Sequence, residues 1–116
     1  MQTNKPYHRK DRVSELIRKE LGMLMLKEVN FKGAIATITR VVVSAKLDVA
    51  RIYISVLPSP RAEDILANLK LRESYLQREL LRIISIKPMP KLMFQIDHGL
   101  EKAAAIEKAL LDSAQS

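Results

Sequence analysis

Residues 41–57 read VVVSAKLDVARIYISVL, and their pattern decides the fold. From Ala50 to Val56 the chain alternates strictly, with Ala50, Ile52, Ile54 and Val56 on one side and Arg51, Tyr53 and Ser55 on the other. A period of two lines one face of a strand with apolar groups, so residues 49–57 are predicted to form a half-buried β-strand. The preceding run, residues 34–44 (AIATITRVVVS), is rich in Ile, Val and Thr and predicts a second strand. Its alternation blurs at Val41, Val42 and Val43, which a bulge or burial on both faces would explain. Ser44-Ala45-Lys46-Leu47-Asp48 joins the two runs as a short turn, giving an antiparallel hairpin with Lys46 near its tip.

Outward from the hairpin the period changes. Val13, Leu16, Ile17, Leu21 and Leu24 recur at helical spacing, with Asp11 as a candidate N-cap. After the hairpin, PSPRAED opens a helix in which Ser59 is the expected cap and Pro60 suits the first turn. Ile65, Leu66 and Leu69 make one apolar stripe, and Leu76, Leu80, Ile83 and Ile84 another. Arg72-Glu73-Ser74 would leave a charged gap in one continuous stripe, so two helices joined near residues 70–75 are expected. Pro88 and Pro90 end that region. Leu92, Phe94 and Ile96 then alternate with Met93, Gln95 and Asp97 as a third strand. A last helix over residues 100–112 would turn Ala103, Ile106 and Leu110 inward.

This order predicts an α+β fold: one three-stranded sheet with helices on a single face. The hairpin strands pair antiparallel, and the helical crossover allows the second and third strands to pair in parallel. One domain spanning residues 1–116 is expected, with residues 1–10 as a flexible arm. The order resembles that of a type II K-homology domain, a small RNA-binding fold that grips a nucleic-acid backbone with a Gly-x-x-Gly loop between two helices. The glycines here are Gly22, Gly33 and Gly99, none of them in the helix–helix junction. A helix-kink-helix therefore stands where that loop would be.

Composition bounds the function. With no cysteine, a disulfide framework and a thiolate zinc site are excluded, and a reducing, cytoplasmic setting is expected. The start, MQTNKPYHRKDR, has no apolar run of a secretory signal, and no stretch approaches a membrane span. The net charge is +7, and it is uneven: residues 1–90 carry 17 Lys and Arg against 9 Asp and Glu, residues 91–116 only 3 against 4. Such a body attracts polyanions. Catalysis is not expected. His8 lies in the arm, and Asp97 and His98, adjacent at a strand end, point to opposite faces. Glu15, Glu20 and Glu28 read as carboxylates of a solvated helix rather than a metal cluster, and no phosphate-cradling glycine loop is present. No cofactor, metal or small-molecule substrate is expected.

Basic residues are the candidates for binding. Tyr75, Arg78 and Arg82 fall in one sector opposite the stripe of Leu76, Leu80 and Ile83. Arginines projecting together suit phosphates, and Tyr75 could stack on a base or ribose. Arg9, Lys10 and Arg12 cluster where the arm meets the first helix, Lys87 and Lys91 flank the prolines, Lys46 tips the hairpin and Arg72 sits at the kink. Arg40 and Arg51, on the strands, read as structural.

Three stretches together resemble the ribosome-binding factor A family. RVSELIRKEL, residues 12–21, is similar to its opening helix. VVVSAKLDVARIYISVL resembles Val-x-Val-Ser-x-Asp-Leu-x-x-Ala-Lys-Val-Tyr. PKLMFQIDHGLEKAAAIEKALLD, residues 90–112, resembles Pro-x-Leu-x-Phe-x-x-Asp followed by a helix. Two departures stand out: Ser44-Ala45-Lys46-Leu47 where the family usually has Ser-Pro-Asp-Leu, and Arg72-Glu73-Ser74 where its kink carries Ala-x-Gly. The resemblance implies a K-homology-like fold without the Gly-x-x-Gly loop. It also implies a monomer that binds the small ribosomal subunit and its 16S rRNA and supports late maturation and 5′-end processing, above all in the cold. A permanent ribosomal protein or general RNA-binding module is the alternative; a protein–protein adaptor with incidental charge is a third.

Overall fold

The computed structural model describes residues 9–114, with side chains described except at residues 100–104 and 114. The elements are α1 (Arg9–Glu28), β1 (Ile35–Val43), β2 (Val49–Leu57), α2 (Ala62–Leu71), α3 (Glu73–Ile83), β3 (Lys91–Ile96) and α4 (Gly99–Ala114). The strands form one sheet in the order β1-β2-β3, antiparallel between β1 and β2 and parallel between β2 and β3. This is the expected α+β, K-homology-like arrangement.

Register explains the layering. Ala50 pairs with Leu92, Ile52 with Phe94 and Ile54 with Ile96, so the apolar sides of β2 and β3 share a face. All six are buried, together with Val13, Ile17 and Leu21 of α1, Ile65 and Leu69 of α2, and Leu76 and Leu80 of α3. Helices α1, α2 and α3 therefore cover one face, and the other is left open. The blurred alternation in β1 is a bulge: the register shifts between Ile38 and Arg40, leaving Thr39 as the extra residue. It lies upstream of the three valines and sets Val41 and Val43 against Ile52 and Ala50.

The break between α2 and α3 falls at Arg72, within the expected interval. Its φ of −99° and ψ of 3° need no left-handed residue, so a chain without glycine can turn here. The Arg72 N–H still donates to the Leu69 carbonyl at 3.0 Å. Glu73 and Gln77 then fasten α3 to β3. Glu73 accepts from the Phe94 N–H at 3.1 Å, and Gln77 donates to the Pro90 carbonyl at 2.6 Å and accepts from the Leu92 N–H at 2.8 Å.

Several local expectations are corrected. Residues 1–8 of the expected arm, His8 included, lie outside the described residues, whereas Arg9 and Lys10 are already helical. Asp11 consequently occupies the first turn of α1, where a carboxylate suits the positive helix end, rather than the cap. Ser59 does not cap α2, because a 3-10 turn at Ser59–Arg61 intervenes. Arg61 holds that turn by donating to the Lys32 and Phe31 carbonyls at 3.0 and 3.2 Å. Ile83 is exposed; α3 ends there, and Ile84, in extended backbone, enters the core instead. In α4, Ile106 and Leu110 are exposed rather than inward, since α1, α2 and α3 already fill the helix face. The Ala103 side chain lies outside the described residues.

Candidate nucleic-acid interface

Three segments distant in sequence meet at one corner of the sheet. The first is the hairpin turn, closed by hydrogen bonds from Ser44 N to Val49 O and from Leu47 N to Ser44 O, both 2.9 Å. The Ser44 hydroxyl accepts from the Asp48 and Val49 N–H groups at 3.1 Å and donates to the Asp48 carboxylate. Leu47 takes a left-handed φ of 61° and packs against the core, which leaves Ala45 and Lys46 exposed at the tip. The second segment is the start of β3, where the Lys91 N–H donates to Asp48 O at 2.9 Å. The third is the start of α1: Arg9 and Lys10 line a groove with Ala45 and Leu47. Arg9 Nη2 also donates to Lys87 O at 3.3 Å.

Arg9, Lys10, Lys46, Lys87 and Lys91 thus gather from positions spread over most of the chain, and all are exposed. The positive end of the α1 dipole lies among them. Asp11 and Asp48 are the acids nearby in sequence, and the Asp48 carboxylate is engaged by Ser44. Arg12 is exposed on the same turn of α1 but already has a partner.

The remaining candidates lie along α3. Arg78 and Arg82 are exposed one turn apart, with Arg82 paired to Glu79 at 3.2 Å. Arg72 donates to Asn68 at 2.9 Å. The Tyr75 hydroxyl donates to Glu28 Oε2 at 2.9 Å, at the far end of α1. That carboxylate raises the tyrosine's pKa above its ordinary value, chiefly through the hydrogen bond, with desolvation adding to it. Since α3 touches the end of α1 at Tyr75, and the loop after it returns to the start of α1 at Lys87, α3 runs antiparallel to α1 towards the basic corner.

A further set was missed at the sequence level. Arg40, Tyr53 and Gln95 lie side by side in register, and so do Val42, Arg51 and Met93, both rows on the face that no buried helix side chain covers. The Arg40 guanidinium sits 4.0 Å above the Tyr53 ring centroid. Asp97 accepts from the Thr39 hydroxyl at 2.6 Å and the Gly99 N–H at 2.8 Å, with Arg40 Nε at 3.9 Å. These contacts, led by Thr39, hold the Asp97 carboxyl below its ordinary value. A two-residue period reports which face a side chain occupies but not whether that face is covered, so Arg40 and Arg51 read only as structural.

Chemically, both basic regions suit phosphate: arginine offers planar, bidentate donors and lysine a point charge. Among the described residues no group of three or more His, Asp or Glu side chains could hold a metal ion, and no helix is long and apolar enough to cross a membrane.

Comparison with known proteins agrees with this architecture. The family model for ribosome-binding factor A matches residues 9–110. A ribosome-binding factor A from Synechococcus sp. (strain WH7803) is 33% identical over 105 residues, covering 87% of this chain and 75% of the relative. The solution structure of a Thermotoga maritima ribosome-binding factor A superposes with a TM-score of 0.68 at 22% identity, covering 84% of this chain and 94% of that one. A Thermus thermophilus ribosome-binding factor A, fitted into a cryo-EM map of a 30S complex, gives a TM-score of 0.63 at 19% identity over 72% of this chain and 90% of that one. A match from the first turn of α1 into α4, with the same three-stranded fold, means that the chain belongs to the ribosome-binding factor A family.

Proposed function

We propose that this chain is a non-enzymatic assembly factor of the small ribosomal subunit. It binds the immature subunit and its 16S rRNA as a monomeric, cytoplasmic, K-homology-like domain spanning residues 1–116. It supports late maturation of that RNA, including processing of the 5′ end, and matters most in the cold. The relative seen in a 30S complex supports the choice of subunit. The observation that carries the reading is the basic corner, where Arg9, Lys10, Lys46, Lys87 and Lys91 converge from three segments. Cations gathered this way offer a polyanion several phosphate contacts at once, and each releases counterions on binding. Arg12, Arg72, Tyr75, Arg78 and Arg82 extend the surface along the adjoining helices.

Sucrose-gradient sedimentation of cell extract, followed by detection of the protein, tests this reading. Co-migration with free small subunits and absence from translating ribosomes is the expected result. Presence in translating ribosomes would indicate a permanent component, and absence from every ribosomal fraction would indicate an adaptor.

A further inference from the structure

The open face of the sheet carries a planar stack that the basic corner does not use. Arg40 lies flat over Tyr53, at 4.0 Å from the ring centroid, with Asp97 on its Nε side. Asp97 is itself anchored by Thr39, the residue that the β1 bulge frees from the ladder. An isolated surface arginine loses rotamer freedom when it binds, whereas this one is already held between a ring and a carboxylate. Its own side chain stays 57% exposed, so the outer face of the guanidinium remains available to a ligand.

The surroundings say what kind of ligand. Gln95, beside Tyr53 in register, supplies amide hydrogen-bonding groups. Val42 and Met93 are exposed apolar groups flanking Arg51, 42% and 41% exposed respectively. Lys91 begins the same strand on the same face and belongs to the basic corner. From Lys91 to Gln95 is four residues of strand, about 13 Å. A chain leaving the corner would therefore meet Arg51 and then the Arg40–Tyr53 stack. Positive charge, apolar floor and a flat cation together suit unpaired nucleotides, whose bases stack on aromatic rings or on arginine planes.

We propose that the open face is a second RNA-contacting surface, on which an unpaired rRNA strand entering from the Lys91 corner stacks a base on the Arg40 guanidinium. This rests on the assembly-factor reading above, and it assigns Arg40, Tyr53 and Arg51 a role in binding. The strand runs over β2 and β3 rather than along α3, and about two bases fit the platform. If Arg40 were only a tie between strands, its planarity would not matter to RNA affinity.

The test uses the full chain and an A-rich single-stranded ribo-oligonucleotide carrying one 2-aminopurine, whose emission falls on stacking. The wild type should bind and quench the probe. Arg40→Lys keeps the charge but loses the plane. It should weaken binding about tenfold, abolish most of the quench and leave the salt dependence unchanged. Circular dichroism and thermal melting establish that the variant is folded, and Tyr53→Phe, which keeps the ring, should quench as the wild type does. Wild-type-like affinity and quench in Arg40→Lys would overturn the proposal, as would a wild type that leaves the probe unquenched. Co-sedimentation with small subunits separates the two readings. A protein that sediments with subunits but does not quench loses the open-face site and keeps the assembly role, and one that does neither loses both.

Discussion

Tyr75 and Glu28 stand 47 residues apart, yet the tyrosine hydroxyl donates to the carboxylate at 2.9 Å and fastens the second half of the kinked helix pair to the end of α1. The Tyr75 pKa is raised because its protonated form is the donor. The bond's contribution is therefore fully present below the unfolded tyrosine value and is lost as pH rises through the folded one. Ultraviolet titration should show one tyrosine ionising later than the others, and Glu28→Gln should return it towards the ordinary value. A titration curve unchanged by Glu28→Gln would contradict the assignment.

Asp97 behaves with the opposite sign. The Thr39 hydroxyl, the Gly99 N–H and Arg40 favour its ionised form and depress its pKa below 3.8. The associated stability is present above the unfolded value and is lost as pH falls through the folded one. Thr39→Val removes the leading contact. Carbon-13 NMR titration of the carboxyl should then find Asp97 titrating at higher pH than in the wild type, and the variant should lose less stability on acidification below about pH 4.

Phe94→Ala should cost about 3–5 kcal/mol, because Phe94 is 3% exposed at the centre of β3 and pairs in register with Ile52. Chemical denaturation reads this directly. A loss under about 1 kcal/mol would mean that the strand is not packed as described.

Ser44→Ala tests the turn. It removes a hydroxyl that accepts two backbone N–H groups and engages Asp48, so about 1–2 kcal/mol of stability should be lost. The turn presenting Lys46 should also loosen, visible as faster amide exchange at Asp48 and Val49. Unaltered exchange there would show that the turn is held by Leu47 and the backbone alone.

Much of this fold was legible because period is a local property. The alternation of Ala50 to Val56 and of Leu92 to Ile96 names the faces that meet the helices, and the charged turn Arg72-Glu73-Ser74 marks the helix break within a residue or two. Features set by partners were not legible. Ile106 and Leu110 keep a helical apolar pattern, but the pattern cannot say that the face they would cover is already filled. Ile83 belongs to the stripe by spacing and leaves it because the helix stops there. Of the site, the residue types were readable, whereas the meeting of Arg9 with Lys87 depends on where the loop after α3 returns.

Lys46 gains a meaning from that meeting. At the tip of the hairpin it adds a cation beside Arg9 and Lys10 where the family pattern has an acid. The salt dependence of affinity for purified immature small subunits tests this most directly, comparing the wild type with Lys10→Glu/Lys46→Glu. Loss of two phosphate contacts should shallow the slope by about 1.4–1.8 log units per log unit of salt, with the melting temperature little changed. An identical slope and affinity in the double variant would contradict the basic corner as the RNA-facing surface.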